Sequence, residues 1–248
     1  LSKKLSISFR PHFKTHQSLE VGTWFKKLGI KKITVSSVEM AKYFSNQWDD
    51  ITIAFPFNIL EIKKVNILLK KITINLLVDS IETIEFLDNN LNNKILVYVK
   101  IDLGYKRAGI SFNDLKKIKL TIKKIKNSKM LSFGGFLSHF GNTYNSKNKT
   151  DISKTYINSI NNIETLKFNL DQRINFSIGD TPSLSILKRV PDYINEIRPG
   201  NFIFYDLYQN KIGSCSLSKI AVRMICPIVS IYPKDKKILI YGGSVHFS

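Results

Sequence analysis

The sequence is short of cysteine and of long apolar runs. Its two cysteines, Cys215 and Cys226, show no metal-ligand spacing, so we expect core or free thiols in a reducing compartment. No stretch approaches the roughly 18 apolar residues that cross a membrane. The start, LSKKLSISFR, has neither the apolar segment nor the small-residue cleavage site of a signal peptide. These absences predict a cytoplasmic protein without a membrane partner.

Arginine is scarce although the chain is strongly basic. The formal net charge is +19, yet only six of the 38 basic residues are arginines. The lysines lie in scattered pairs, such as Lys26-Lys27 and Lys63-Lys64, rather than in one patch. Nucleic-acid interfaces favour arginine because it makes bidentate contacts. The charge therefore predicts solvated helix faces and no nucleic-acid partner.

An initiating methionine is also missing, and the last residues, ILIYGGSVHFS, stop just after a strand-like run. We therefore expect a piece of a longer protein, truncated at both ends. The 248 residues, 43% of them hydrophobic, are enough for one large domain, or for one domain and part of another.

Short apolar runs alternate with helix-like segments through the first two hundred residues. The predicted strands cover about 5–13, 32–36, 51–55, 72–78, 95–102, 132–138, 173–178 and 194–197. The predicted helices lie at about 17–28, 38–45, 58–69, 80–90, 112–127, 151–168 and 181–189. Eight alternating strands predict a (β/α)8 TIM barrel over residues 1–203. Two further strand-like runs without a helix between them predict the beginning of an antiparallel β domain, left incomplete, at 204–248.

Unusual polar residues follow five of the predicted strands, in RPHFKTH, DLGYKRAGI, SHFGNTY, GDTPS and EIRPGN. Each has an ordinary explanation: a lone histidine is usually structural, GDTPS reads as a capped helix start, and RPGN as a turn. The carboxyl ends of barrel strands nevertheless meet on one face, where active sites lie. A lysine, an arginine, an aromatic ring and a phosphate-binding helix start on that face predict pyridoxal 5'-phosphate held as a Schiff base.

The same segments, in the same order from about residue 8 to 206, resemble a known family. They are similar to the fold-type III pyridoxal-phosphate enzymes of the D-serine dehydratase and D-threonine aldolase group, distant relatives of alanine racemase. RPHFKTH resembles the lysine motif of that group, and DLGYKRAGI its D-x-G-x-x-R-x-G segment. SHFGNTY is close to a segment of the eukaryotic-type D-serine dehydratases. GDTPS resembles the phosphate loop, and EIRPGN the Arg-Pro-Gly segment.

The resemblance assigns a role to each matching residue. It makes Lys14 the Schiff-base lysine and the catalytic base on one face of the substrate Cα. It places His139 against the pyridine ring, Arg107 near the phenolic oxygen, Arg198 near the pyridine nitrogen and Tyr144 in the pocket wall. The donors to the phosphate would come from Gly179, Asp180, Thr181, Gly200 and Asn201.

The resemblance implies a pyridoxal-phosphate-dependent lyase that acts on a D-β-hydroxy amino acid, most like a D-serine dehydratase, with an aldolase variant possible. It also implies a homodimer and a divalent metal, zinc in this interpretation, whose histidine and cysteine or aspartate ligands we expect beyond the C-terminal end of this chain. Two alternatives stay open: an alanine-type amino-acid racemase, and a non-catalytic pyridoxal-phosphate homeostasis protein. The second-domain pattern after residue 203 counts against the latter.

Overall fold

The computed structural model describes residues 7–170, 174–243 and 246. Strands and helices alternate through most of this part of the chain. The strands are β1 (Ser8–Phe9), β2 (Ile33–Val35), β3 (Asp50–Pro56), β4 (Thr73–Val78), β5 (Ile95–Asp102), β6 (Ile110–Ser111), β7 (Leu131–His139), β8 (Phe176–Gly179), β9 (Ile194–Ile197), β10 (Ile228–Tyr232) and β11 (Lys237–Ile240). The helices are α1 (Leu19–Lys27), α2 (Val38–Phe44), α3 (Ile62–Leu68), α4 (Ile81–Asn90), α5 (Leu115–Asn127), α6 (Lys149–Leu170), α7 (Thr181–Ile186) and α8 (Leu207–Lys211).

Eight of the strands form a closed parallel barrel. Their order is β1-β9-β8-β7-β5-β4-β3-β2, and every neighbouring pair is parallel. A parallel bridge between His12 and Thr34 joins the two ends of this order. The short strand β6 pairs with β5 outside the barrel path. The predicted (β/α)8 fold is therefore confirmed.

The predicted elements match the observed ones, with differences at their ends. Residues 5, 6 and 173, which the sequence assigned to strands, lie outside the described residues. The helix predicted from residue 112 begins at Leu115, because the Asp114 side chain accepts the Lys117 N–H and caps it. The helix predicted at 58–69 starts as a 3-10 turn, Ile59–Glu61, before α3. Caps and turns, which hydrophobic periodicity does not register, set these boundaries.

The apolar core lies between the barrel and its helices. Helix α5 shows how the pattern builds it: Ile118, Ile122 and Ile125 recur at helical spacing, and all three are buried, while its lysines face outward. The innermost part of the barrel differs, because it contains buried charged groups, among them Arg10, Glu196 and Arg198.

Residues after 203 lie partly against the barrel and partly away from it. The Tyr208 hydroxyl donates to the Tyr144 carbonyl at 2.6 Å, and the Ala221 N–H donates to Phe204 at 2.8 Å. Strands β10 and β11 form a separate antiparallel pair whose apolar side chains are largely exposed. The domain boundary at residue 203 stays a prediction. None of the helices in the described ranges combines the length and apolar character needed to cross a membrane.

Candidate active site

A cavity opens at the carboxyl ends of the barrel strands, and four of the predicted site residues line it: Lys14, Arg107, His139 and Arg198. They come from segments that are far apart in sequence, after β1, β5, β7 and β9. The Tyr144 ring lies beside the His139 ring, with centroids 6.1 Å apart. The fold therefore brings the lysine, both arginines, the histidine and the tyrosine to one place.

Lys14 lies in the loop between β1 and α1, and its side chain reaches the mouth of the cavity. Its backbone N–H donates to His12 Nδ1 at 3.3 Å, which holds the loop against the strand end. Partial burial of the amine lowers the pKa of Lys14, and the positive charges of Arg107 and Arg198 lower it further. More of the amine is therefore uncharged at neutral pH than for a surface lysine, as a nucleophile or base requires.

His139 ends strand β7 with its ring fixed by a backbone carbonyl. Nδ1 lies 2.5 Å from the Gly179 carbonyl oxygen, so it carries the proton and donates, which leaves Nε2 as an acceptor. Burial lowers the pKa of His139 to about 3, although this hydrogen bond acts in the opposite direction. The imidazole is neutral at physiological pH, between the rings of Tyr105 and Tyr144.

The neutral His139 predicts a pH dependence of stability. Between its ordinary pKa of 6.5 and the lowered value, the unfolded chain binds a proton that the folded protein does not. The free energy of unfolding therefore falls as the pH falls through this range, by up to about 1.4 kcal/mol per pH unit for this residue. His139→Asn keeps an N–H donor for Gly179 but does not titrate. Urea unfolding at about pH 6, 5 and 4 should show a shallower slope in the variant; equal slopes contradict the prediction.

The predicted phosphate donors lie at the ends of β8 and β9. The Thr181 N–H donates to the Tyr144 hydroxyl at 3.3 Å, and the Asn201 N–H donates to the Thr181 hydroxyl at 3.0 Å. A Cβ on Gly179 would lie 3.0 Å from the Arg198 carbonyl oxygen, and one on Gly200 equally close to that of His12. These glycines therefore let the two strand ends approach each other.

The Asp180 side chain caps helix α7 and does not line the cavity. Its carboxylate accepts the Ser183 N–H at 2.7 Å, the Ser183 hydroxyl at 2.6 Å and the Thr143 hydroxyl at 2.9 Å. Burial raises the pKa of Asp180 to about 6. Any contact of Asp180 with a phosphate therefore falls to its backbone, and its side chain is the N-cap of α7.

Three further cavity residues have no assigned role in the sequence interpretation: Lys100, Tyr105 and His12. Burial, together with the charges of Arg198 and Arg107, lowers the pKa of Lys100 to about 7. A signal for this residue exists in VYVKID, because Tyr98, Lys100 and Asp102 alternate on one face of a strand that is otherwise apolar. A lysine on such a face is a candidate for the barrel interior. Tyr105 packs so closely on Gly141 that a Cβ there would overlap its ring.

The donors in this cavity suit an anionic molecule with a reactive carbonyl. The cavity is lined by three basic side chains, those of Arg107, Arg198 and Lys100, and by one carboxylate, that of Asp102. Asp102 Oδ1 already accepts the N–H groups of Gly104 and Lys106. Lys14 adds an amine of lowered pKa. Pyridoxal phosphate, which is a phosphorylated aldehyde, fits this set. A metal does not fit the described part of the chain, where no three His, Cys, Asp or Glu residues come together.

Comparison with known proteins agrees with the fold and the motif order. The family model for the alanine racemase N-terminal domain matches residues 4–207. The chain is 32% identical to the D-serine dehydratase of Dictyostelium discoideum over 272 residues, which cover 98% of this chain and 67% of that protein. It is 24% identical to the D-threo-3-hydroxyaspartate dehydratase of Delftia sp. (strain HT23) over 232 residues, which cover 90% of this chain and 60% of that protein. The chain thus spans about two thirds of the length of these relatives.

Solved structures share the fold at lower sequence identity. The D-threo-3-hydroxyaspartate dehydratase from Delftia sp. HT23 superposes with a TM-score of 0.83 and 21% identity, over 94% of this chain and 63% of that one. D-Threonine aldolase from Filomicrobium marinum superposes with a TM-score of 0.75 and 18% identity, over 85% of this chain and 59% of that one. These structures support the fold alone. The family model, together with the relationship to the D. discoideum protein, shows that the chain belongs to the alanine racemase N-terminal domain family of fold-type III pyridoxal-phosphate barrels.

Proposed function

We propose that the protein is a pyridoxal-phosphate-dependent lyase that converts a D-β-hydroxy amino acid into an α-keto acid and ammonia, as a D-serine dehydratase does. The observation that carries the proposal is the meeting of Lys14 with Arg107, His139 and Arg198 in one cavity. The similarity to D-serine and D-threo-3-hydroxyaspartate dehydratases supports the choice of reaction.

Pyridoxal phosphate, when bound, supplies an electron sink that acidifies the Cα hydrogen of an amino acid joined to it. Lys14 is the residue we assign to hold the cofactor and then to take the Cα proton, because its amine is partly uncharged at neutral pH. One lysine on one side of Cα removes the proton from one enantiomer only, which fits a D-specific lyase. A racemase needs a second acid–base group on the opposite side.

The other residues are assigned to hold the cofactor. Arg198 is proposed to contact the pyridine nitrogen, Arg107 the phenolic oxygen, and His139 the face of the ring. Tyr144 lines the pocket next to His139. For the phosphate we propose the backbone N–H groups and hydroxyl at the ends of β8 and β9, from Gly179, Asp180, Thr181, Gly200 and Asn201.

A divalent metal, zinc, is a further part of the proposal. Its chemistry would be that of a Lewis acid at the substrate β-hydroxyl, a poor leaving group without such help. We assign its ligands to residues outside the described part of the chain. One solved structure of a D-threo-3-hydroxyaspartate dehydratase is described as a mutant in the metal-free form, which supports a metal in that protein.

We also propose that the protein works in the cytoplasm, as a homodimer, without nucleic acid. The two cysteines, Cys215 and Cys226, are both free thiols, which suits a reducing compartment. The substrate is a small D-amino acid.

The products of the full-length protein test the proposal. With pyridoxal phosphate and D-serine we expect equal amounts of pyruvate and ammonia, with L-serine as the negative control. A chelator should abolish turnover yet leave the bound cofactor's absorbance unchanged, because Lys14 needs no metal. Glycine and an aldehyde as products would indicate an aldolase, and chelator-resistant exchange of D- and L-alanine a racemase. Bound cofactor without any of these reactions would favour the homeostasis protein.

A further inference from the structure

A chain of polar groups crosses the inside of the barrel, from the partly exposed Asp50 to the buried Arg198. Arg10 donates to Asp50 at 2.6 Å and to Glu196 at 2.8 Å. The Ser177 hydroxyl donates a hydrogen bond to the other carboxylate oxygen of Glu196, at 2.7 Å. Arg198 Nε donates to the Ser177 hydroxyl oxygen, also at 2.7 Å. The order Asp50–Arg10–Glu196–Ser177–Arg198 therefore links the barrel interior to the cavity.

Ser177 fixes the direction of this chain. A guanidinium has only donors, so the Ser177 oxygen must accept from Arg198 and its single proton must go to Glu196. Arg198 Nη2 is also engaged, by the carbonyls of Ser138 at 2.8 Å and Ser177 at 3.2 Å. Within the described residues Nη1 has no hydrogen-bond partner, and it lies beside Gly179, 3.2 Å from where a Cβ would stand. The guanidinium is thus held on two sides and open on the third.

Glu196 also offsets the charge of Arg198. Both side chains are nearly inaccessible, at 5% and 4% exposure, so their charges are weakly screened. Glu196 is the acid that acts most strongly on Arg198, ahead of Asp180. Without Glu196, the positive potential that reaches the cavity from Arg198 would rise.

We propose that Glu196 is a positioning residue which, through Ser177, orients Arg198 and sets the positive potential that bound pyridoxal phosphate experiences. This inference rests on the proposed function, because it needs the cofactor in the cavity. It assigns a role in the site to a glutamate that lies on strand β9, two residues before Arg198.

Other charged and titratable groups contribute to the same potential. Those acting on Arg198 or Glu196 are Arg10, Lys32, Tyr98 and Asp180, and Asp50 acts on Arg10 and Tyr98. Those acting on Lys14 and its surroundings from the cavity are His12, Lys100, Asp102, Arg107 and His139. Cations outnumber carboxylates in this set.

The first test is the variant Glu196→Gln of the full chain, loaded with pyridoxal phosphate. The measurement is the pH midpoint at which the absorbance band of the lysine-bound cofactor, at about 410–420 nm, is lost. Loss of the carboxylate makes the cavity more positive and disfavours the protonated nitrogen that joins the lysine to the cofactor. We expect the midpoint to fall by about 0.5–1 pH unit.

The matched control is Asp88→Asn, since Asp88 also accepts a serine hydroxyl, that of Ser128, and a backbone N–H, that of Met130. It lies on α4, outside the barrel interior. This variant should lower the melting temperature and leave the midpoint unchanged. If Glu196→Gln behaves in the same way, Glu196 is only structural and the inference is wrong.

A second variant decides the matter if Glu196→Gln does not fold. Ser177→Ala removes the bridging hydroxyl and keeps both charges. We expect the dissociation constant of pyridoxal phosphate to rise about tenfold, because Arg198 loses the acceptor of Nε. An unchanged dissociation constant would overturn the inference. Failure of the unaltered protein to form the band at all would instead refute the proposed function.

Discussion

Replacing Lys14 by alanine is expected to abolish covalent attachment of pyridoxal phosphate and with it the absorbance band at about 410–420 nm. The variant retains the fold, because the Lys14 side chain lines the cavity and makes no hydrogen bond or ion pair in the described part of the chain. Turnover of D-serine should fall by at least about 10²–10⁴-fold, the contribution of a positioned acid–base group alone. Absorbance and pyruvate release measure the two effects.

Lys100 is the matched control because it is a second lysine of lowered pKa in the same cavity. Its pKa of about 7 makes it a credible rival as the attachment site. The motif, by contrast, favours Lys14. Borohydride reduction of the loaded protein, followed by peptide mapping, distinguishes them. We expect the label on Lys14 and a persisting band in Lys100→Met. A label on Lys100 would overturn the assignment of the attachment site.

The fold was predictable because its signals are local. The barrel strands are short apolar runs and the helices show one buried face, and both patterns are visible in the periodicity of the sequence except at the exact ends of the elements. The placement of the site followed from topology, since parallel strands put their carboxyl ends at one edge. The resemblance of the motifs supplied the individual residue roles, which stay predictions.

The parts that escaped prediction depend on contacts between distant segments. Glu196 reads as an ordinary polar residue in a strand, and only barrel closure brings it within 2.8 Å of Arg10, 186 positions earlier. Lys100 looks like one more lysine in a lysine-rich chain, and its lowered pKa arises from burial near Arg198 and Arg107. The hydrogen bond from the Thr143 hydroxyl to the Asp180 carboxylate likewise joins residues 37 positions apart. Composition and periodicity carry no information on such pairings.

Arg10→Met is expected to destabilise the protein by about 3 kcal/mol, because it removes the buried cation that binds Glu196 inside the barrel. The Arg10 side chain is 4% exposed and binds Glu196, which is 7% exposed, and Asp50, which is 36% exposed. Water reaches Asp50, so the cost falls mainly on Glu196, whose remaining cation is Lys32 at 3.8 Å. Lys64→Met is the control, because it breaks an exposed ion pair with Glu39. Surface ion pairs are screened by water, so the urea concentration at which this variant unfolds should be close to that of the unaltered protein.

The pH dependence of the stability loss in Arg10→Met distinguishes an effect of charge from an effect of packing. If the loss of stability comes from uncompensated negative charge, it should shrink as the pH falls into the range in which carboxylates are protonated. A loss that stays constant from about pH 7 to pH 4 would mean that the missing side-chain volume and hydrogen bonds, not the charge, account for the effect. Unfolding of both proteins in urea across that range supplies the comparison.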